Sequence, residues 1–215
     1  MAPLYFADRD PQELELDAAE RAAIGLVESR NSSALCTGVL IARDFVLTAA
    51  HCDRGRALTF RPSTPGARAV SGVANTFNPM LDAMLIELEP DAATRALAPI
   101  AMWRGPIDDR WVGTLATLAG IGKTESGTVG ELSFATEEVL AVSADEITVD
   151  GMGRSGACIG DSGGPLLVAA EDGRARVVGV LDLGSSDCVG IDIYIRADRL
   201  SDWVQQVVGS RCAVE

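Results

Sequence analysis

Short apolar runs separated by turn residues constrain this chain more than any other feature. Runs at Cys36–Ile41, Phe45–Thr48, Ala83–Leu88, Thr114–Leu118, Glu146–Val149, Leu166–Ala169, Val177–Leu181 and Ile191–Ile195 are four to six residues long. Gly, Pro, Asn and Asp punctuate the stretches between them. Runs of that length fit strands better than helices. Many short strands joined by turns point to an all-β sandwich or barrel and away from a parallel α/β sheet. Helical spacing shows in two places only. One is Leu14 to Arg21; the other is Asp198 to Val208, where Leu200, Trp203, Val204, Val207 and Val208 recur on one face. Ser201 or Asp198 is the expected cap of the second helix. Arg61 to Gly66, with two prolines, and Thr124 to Glu131 read as loops. No repeat, low-complexity tract or linker divides the 215 residues, which suit one large all-β unit or two packed barrels.

Composition narrows the function classes. Hydrophobic residues make up 47% of the chain, the level of a globular protein. The formal charge is −13, which argues against binding a phosphate backbone, so no nucleic-acid partner is expected. No apolar run reaches the ~18 residues of a membrane helix. Met1 to Asp17 is acidic and lacks the basic-then-apolar pattern of a secretion signal. The five cysteines, Cys36, Cys52, Cys158, Cys188 and Cys212, form no CxxC pair, so no zinc site is expected. Two disulfides with one cysteine to spare suit an exported protein, whether secreted or periplasmic; five reduced thiols in a cytoplasmic protein are the alternative.

The candidate chemistry rests on two distant strings. The single histidine, His51, lies in Leu47-Thr48-Ala49-Ala50-His51-Cys52. Ser162 lies in Gly160-Asp161-Ser162-Gly163-Gly164-Pro165. A serine hydroxyl is a poor nucleophile until a neighbouring imidazole takes its proton. Glycines around Ser162 allow a tight turn in which the N–H groups of Gly160 and Ser162 point into one concavity, the geometry of an oxyanion hole. A buried carboxylate that fixes the imidazole tautomer completes such a set. Asp82, the polar opening of Ala83-Met84-Leu85-Ile86-Glu87-Leu88, is the candidate.

In this order, the His51 string, the Asp82 strand and the Ser162 string resemble the trypsin/chymotrypsin-like serine peptidases. Cys36-Thr37-Gly38-Val39-Leu40-Ile41 is similar to the family's strand before the histidine, and Ala119-Gly120-Ile121-Gly122 to its mid-chain Gly-Trp-Gly segment. The resemblance covers most of the chain. It implies two packed six-stranded antiparallel β-barrels, at about 20–105 and 110–197, with a C-terminal helix at about 198–208. It also implies peptide-bond hydrolysis through an acyl-enzyme: Ser162 the nucleophile, His51 the base and then acid, Asp82 the orienting carboxylate, and Gly160 and Ser162 the oxyanion donors. Cys36–Cys52 would pin the histidine loop, Cys158–Cys188 would tie two walls of the specificity pocket, and Cys212 is left over. No cofactor is expected and no calcium-binding motif is visible. A protein or peptide substrate and a monomer are.

Several positions depart from the family's pattern. Gly156 stands where trypsin-like members carry the aspartate at the pocket floor. Asp192 falls where they have a glycine in the opposite wall. Either Asp192 meets a basic residue before the scissile bond (P1), giving a preference for Arg or Lys, or it is solvated or paired internally and the pocket is neutral. Asp182-Leu183-Gly184 replaces the Ser-Trp-Gly that pairs with substrate backbone. A carboxylate at 182 would repel Asp82 unless one of the two is protonated or turned away. The family's Ile-Val-Gly-Gly start is missing. Cleavage before Leu4 or Tyr5 by an activating protease would free an ammonium for Asp161, making the Met1 chain a zymogen. The other readings are a catalytically silent homologue or zymogen acting as a binding module, and an esterase with the same triad.

Overall fold

The computed structural model describes residues 14–29, 35–55 and 57–209. Twelve strands close into two six-stranded barrels. The first contains β1 (Ile24–Ser29), β2 (Leu35–Ala42), β3 (Phe45–Thr48), β4 (Leu58–Pro62), β5 (Val70–Phe77) and β6 (Met84–Leu88). The second contains β7 (Leu115–Gly120), β8 (Ser133–Val142), β9 (Glu146–Asp150), β10 (Pro165–Ala169), β11 (Ala175–Leu183) and β12 (Ile191–Arg196). Round the first barrel the order is β1-β2-β3-β6-β5-β4, and round the second β7-β8-β9-β12-β11-β10, so the second repeats the first with each label raised by six. All twelve neighbour pairings are antiparallel. This is the all-β, two-barrel fold expected from the sequence, and closure leaves no long edge exposed.

Four strands escaped the sequence pattern, and each has a reason. β1 follows the alanines of α1 (Ala18–Ala23) directly and merges with their pattern. β4 runs through Arg61 and Pro62, so the predicted loop at Arg61 to Gly66 begins two residues later, at Ser63. β5 carries Ser71, Gly72, Asn75 and Thr76 and is only partly buried. β8 alternates correctly, but Glu137 sits at one of its inward positions.

The helices differ in how they start. Asp17 caps α1 through the N–H groups of Ala19 and Glu20, at 2.7 and 2.8 Å, while Glu20 reaches back to the Asp17 N–H at 3.1 Å. A short α2 (Ala92–Arg95) is capped by Asp91. The C-terminal α3 (Ala197–Val208) begins after Arg196 with no side-chain cap. The expected caps are engaged elsewhere: Asp198 pairs with Arg196 and accepts the Ile107 N–H, and the Ser201 hydroxyl donates to the Ala197 carbonyl. Leu200, Val204 and Val208 press α3 onto the core.

The barrels meet along a seam in which Thr37 of β2 is the hub. Its N–H donates to the Ser162 carbonyl at 2.9 Å, its hydroxyl donates to the Gly160 carbonyl at 2.9 Å, and the same hydroxyl accepts the Ile121 N–H at 3.1 Å. The connecting segment adds the Ile100 N–H to Leu40 (2.9 Å) and the Trp103 N–H to Val177 (2.8 Å). One apolar cluster crosses the seam, from Leu40, Phe60 and Met84 to Leu167 and Val180.

Candidate active site

His51 sits in a one-turn 3-10 helix, Ala50–Cys52, at the end of β3. Asp82 lies in the bend before β6. β3 and β6 are paired, with Thr48 opposite Met84, so both residues emerge at the same end of neighbouring strands. Asp82 Oδ1 accepts the His51 N–H at 2.9 Å, and Oδ2 bonds His51 Nδ1. With Nδ1 donating, the lone pair lies on Nε2, where a base needs it. The hydrogen bond to Asp82 raises the His51 pKa above its ordinary value, against the opposing effect of burial. Burial pushes the Asp82 carboxyl up, but the bonds to His51 outweigh it and hold the pKa down. The Cys36–Cys52 disulfide fastens the turn to β2.

Ser162 lies in the turn before β10. This loop is pressed against the residues leading into His51. Gly163 has φ +80°, and a Cβ there would strike Thr48 Oγ1 and lie 2.7 Å from the Ala49 N. Only glycine allows both the left-handed turn and the close approach. His51 and Ser162 are thus brought to one seam, although no hydrogen bond joins their side chains; such bonds often tighten only when substrate is bound. Around Ser162 the N–H groups of Asp161, Gly163 and Gly164 are used internally. Those of Gly160 and Ser162 donate to no acceptor among the described residues.

Asp161 is fully buried. Its oxygens take the Gly122 and Cys158 N–H groups at 2.7 and 2.8 Å. Burial still pushes its pKa to about 7, and no cation pairs with it among the described residues. Leu4, Tyr5 and Cys212 lie outside the described residues.

Gly156, Gly184 and Asp192 come together as two walls and a floor. Asp192 is buried, and its oxygens accept the Ala157 N–H at 2.6 Å and the Ser185 N–H at 3.1 Å. A Cβ on Gly156 would sit 3.3 Å from one of these oxygens and a Cβ on Gly184 3.2 Å from the other, so the fully buried carboxylate packs against both glycines. The solvated alternative for Asp192 therefore drops out. Leu183 ends β11 and is exposed, and Cys158–Cys188 clamps the walls together. Asp182 stands beside Asp82, and burial followed by Asp82 raises its pKa to about 6.

The sequence reading missed Glu137 and Thr37. Glu137 is buried beside Asp192, and neither of its oxygens finds a donor. Burial first, and the Asp192 charge second, push its carboxyl well up. Burial raises the Asp192 carboxyl as well, but Glu137 and the two N–H donors act against that rise, so of the pair Glu137 binds a proton the more strongly. A glutamate at an inward position of an alternating strand was the available signal. The only metal-like groupings among the described residues are Cys36, His51 and Cys52, whose thiols form a disulfide partnership, and His51, Asp82 and Asp182. A cavity of about 690 Å³ lies apart from this chemistry, between β1, β4 and the 121–132 segment.

Comparison with known proteins agrees with the geometry. The Trypsin family model matches residues 17–204. Snake venom serine proteinase 14 of Crotalus adamanteus is 26% identical, over 84% of this chain and 80% of its own length. A snake venom serine protease of Crotalus durissus durissus is 25% identical, over 82% and 79%. Snake venom serine protease rhinocerase 4 of Bitis rhinoceros is 27% identical, over 91% and 86%.

Proposed function

The chain belongs to the trypsin family and is a serine endopeptidase acting on proteins, and from that premise we propose a mechanism and a specificity. Ser162 Oγ attacks the scissile carbonyl carbon while its proton passes to His51 Nε2. The N–H groups of Gly160 and Ser162 hold the oxyanion, and Asp82 holds the imidazolium. Collapse expels the amine, which takes the proton from His51. Water, activated by His51, then hydrolyses the acyl-enzyme and restores Ser162. The observation that carries this reading is the pair of hydrogen bonds from His51 to Asp82 next to a serine turn with two N–H groups that meet no acceptor among the described residues.

The P1 residue is Arg or Lys. Asp192 supports this: its anion lies between Gly156 and Gly184, and Glu137 keeps it from being the protonated member of the pair. Activation occurs by cleavage before Leu4 or Tyr5, with the new ammonium pairing with Asp161; a buried carboxyl that meets no cation among the described residues supports it. The disulfides suit an oxidising compartment outside the cytosol.

The test is labelling of Ser162 by a fluorophosphonate, together with cleavage of a mixed peptide library. The Met1 chain and a chain trimmed to Leu4 or Tyr5 are compared, with Ser162→Ala as control. Labelling and cleavage after Arg or Lys, only in the trimmed form, is the expected result. Ester turnover without peptide turnover would make it an esterase. Neither labelling nor turnover in well-folded protein would mark a silent binding module.

A further inference from the structure

A second carboxyl stands against the His51–Asp82 pair. The ligand atoms of His51, Asp82 and Asp182 all lie within 4.8 Å of one another. β11 delivers Asp182 there, at the point where its register slips between Leu181 and Leu183. An irregularity of this kind re-aims the side chain it carries. Leu181 is fixed to the serine loop by its N–H to the Gly164 carbonyl (2.9 Å) and its carbonyl to the Gly163 N–H (2.8 Å), so Asp182 cannot swing away with its strand. Asp82 receives two donors from His51. Asp182 receives no N–H from the described residues.

Two carboxylates this close repel unless a proton lies between them. Donors decide which one holds it, and among the described residues the donors are all on Asp82. We propose that Asp182 is a positioning residue that works in its protonated form: its carboxyl O–H donates to Asp82, and it competes with His51 for the same proton. The proposal rests on the reading of Ser162, His51 and Asp82 as the reacting set. With one proton in the cluster, two arrangements exist. Carried by Asp182, the proton leaves His51 neutral and able to act as a base. Carried by His51, it leaves two carboxylates against an imidazolium that cannot accept the serine proton.

Among the described residues the surrounding charges are few. Asp82 faces Asp182 from the bend before β6, His51 from the 3-10 turn and Glu146 from β9. Arg54, beyond the turn, acts on His51 in the opposite sense to the two aspartates. Burial and Asp82 both favour the proton on Asp182, raising its pKa to about 6, while Asp82 and Asp182 both raise that of His51, so the two groups draw on the same proton.

His51 is the only histidine, so its imidazole resonances need no assignment. The test is an NMR titration of His51 in the full chain with Ser162→Ala, with and without Asp182→Asn. The asparagine keeps a donor and cannot ionise. The expected result is a lower His51 midpoint with Asp182→Asn. In the active enzyme, the fraction of the plateau kcat/KM retained at pH 6 should then rise about 3- to 10-fold, the effect of one unit charge at this range in a half-solvated cleft. Asp182→Ala, which has no donor, should lose more of the plateau rate than Asp182→Asn. An unchanged midpoint, or equal plateau rates for Asn and Ala in folded protein, would overturn the proposal. Because the titration needs no turnover, an inactive enzyme with a shifted midpoint would instead count against the reacting set alone.

Discussion

Two carboxyl pairs carry much of the site, and each obeys the same rule. Asp192 accepts N–H groups from Ala157 and Ser185 while Glu137 accepts none. Asp82 accepts two from His51 while Asp182 accepts none from the described backbone. The member with donors gives up its proton the more readily and its neighbour binds a proton the more strongly. If Asp192 is the anion that meets P1, Asp192→Asn should lower kcat/KM for Arg and Lys substrates by about 10- to 100-fold, the range of a lost charge-assisted hydrogen bond. Cleavage after small apolar residues should hold. Asp82→Asn should lower kcat by about 10⁴-fold, because the amide lets the imidazole adopt the wrong tautomer. Steady-state kinetics on one peptide series reads both.

Individual elements place these residues by their ends. The pairing of β3 with β6 sets His51 beside Asp82, and the turn before β10 seats Ser162 against Thr48 and Ala49. Gly163→Ala adds a Cβ that meets backbone and a packed hydroxyl, at a φ of +80°. Left-handed strain of about 1–2 kcal/mol and overpacking of about 1–3 kcal/mol should both appear as a lower Tm, with loss of turnover. α1 is only six residues long and depends on its capping box. Asp17→Ala should cost about 1 kcal/mol, a fall of about 2–4 °C in Tm for a chain of this size, with turnover retained.

For the whole molecule, buried acids set the pH dependence of stability. Burial raises the pKa of Asp161, Asp182, Asp192 and Glu137, Asp161 moving from its ordinary 3.8 to about 7. Between those values the unfolded chain has released the Asp161 proton and the folded chain has kept it, so rising pH favours unfolding. The lowered carboxyls of Asp82 and Asp198 act oppositely and lose their stabilisation only as pH falls below the ordinary carboxylate range. A net charge of −13 adds self-repulsion at neutral pH. Thermal melts should therefore show Tm falling from about pH 4 to 7, and falling less in a chain trimmed to Leu4 or Tyr5 if its ammonium reaches Asp161.

The sequence by itself determined the all-β class, eight of the strands, the family and the identity of the candidate residues. Short apolar runs, turn residues and contiguous strings such as Gly160 to Pro165 are local, so they can be read along the chain. Only the tertiary structure decided what depends on closure of the barrels. Asp192 turns out to be buried on two backbone N–H groups, Glu137 to be buried with no donor to its oxygens, and Thr37 to bind the two barrels at the serine turn. Asp182 turns out to face Asp82 across an irregular strand end. Those outcomes turn on which groups lie within a few ångströms once residues far apart along the chain are brought together, up to 123 positions for Thr37 and Gly160, and on the low-dielectric surroundings that then shift the carboxyls.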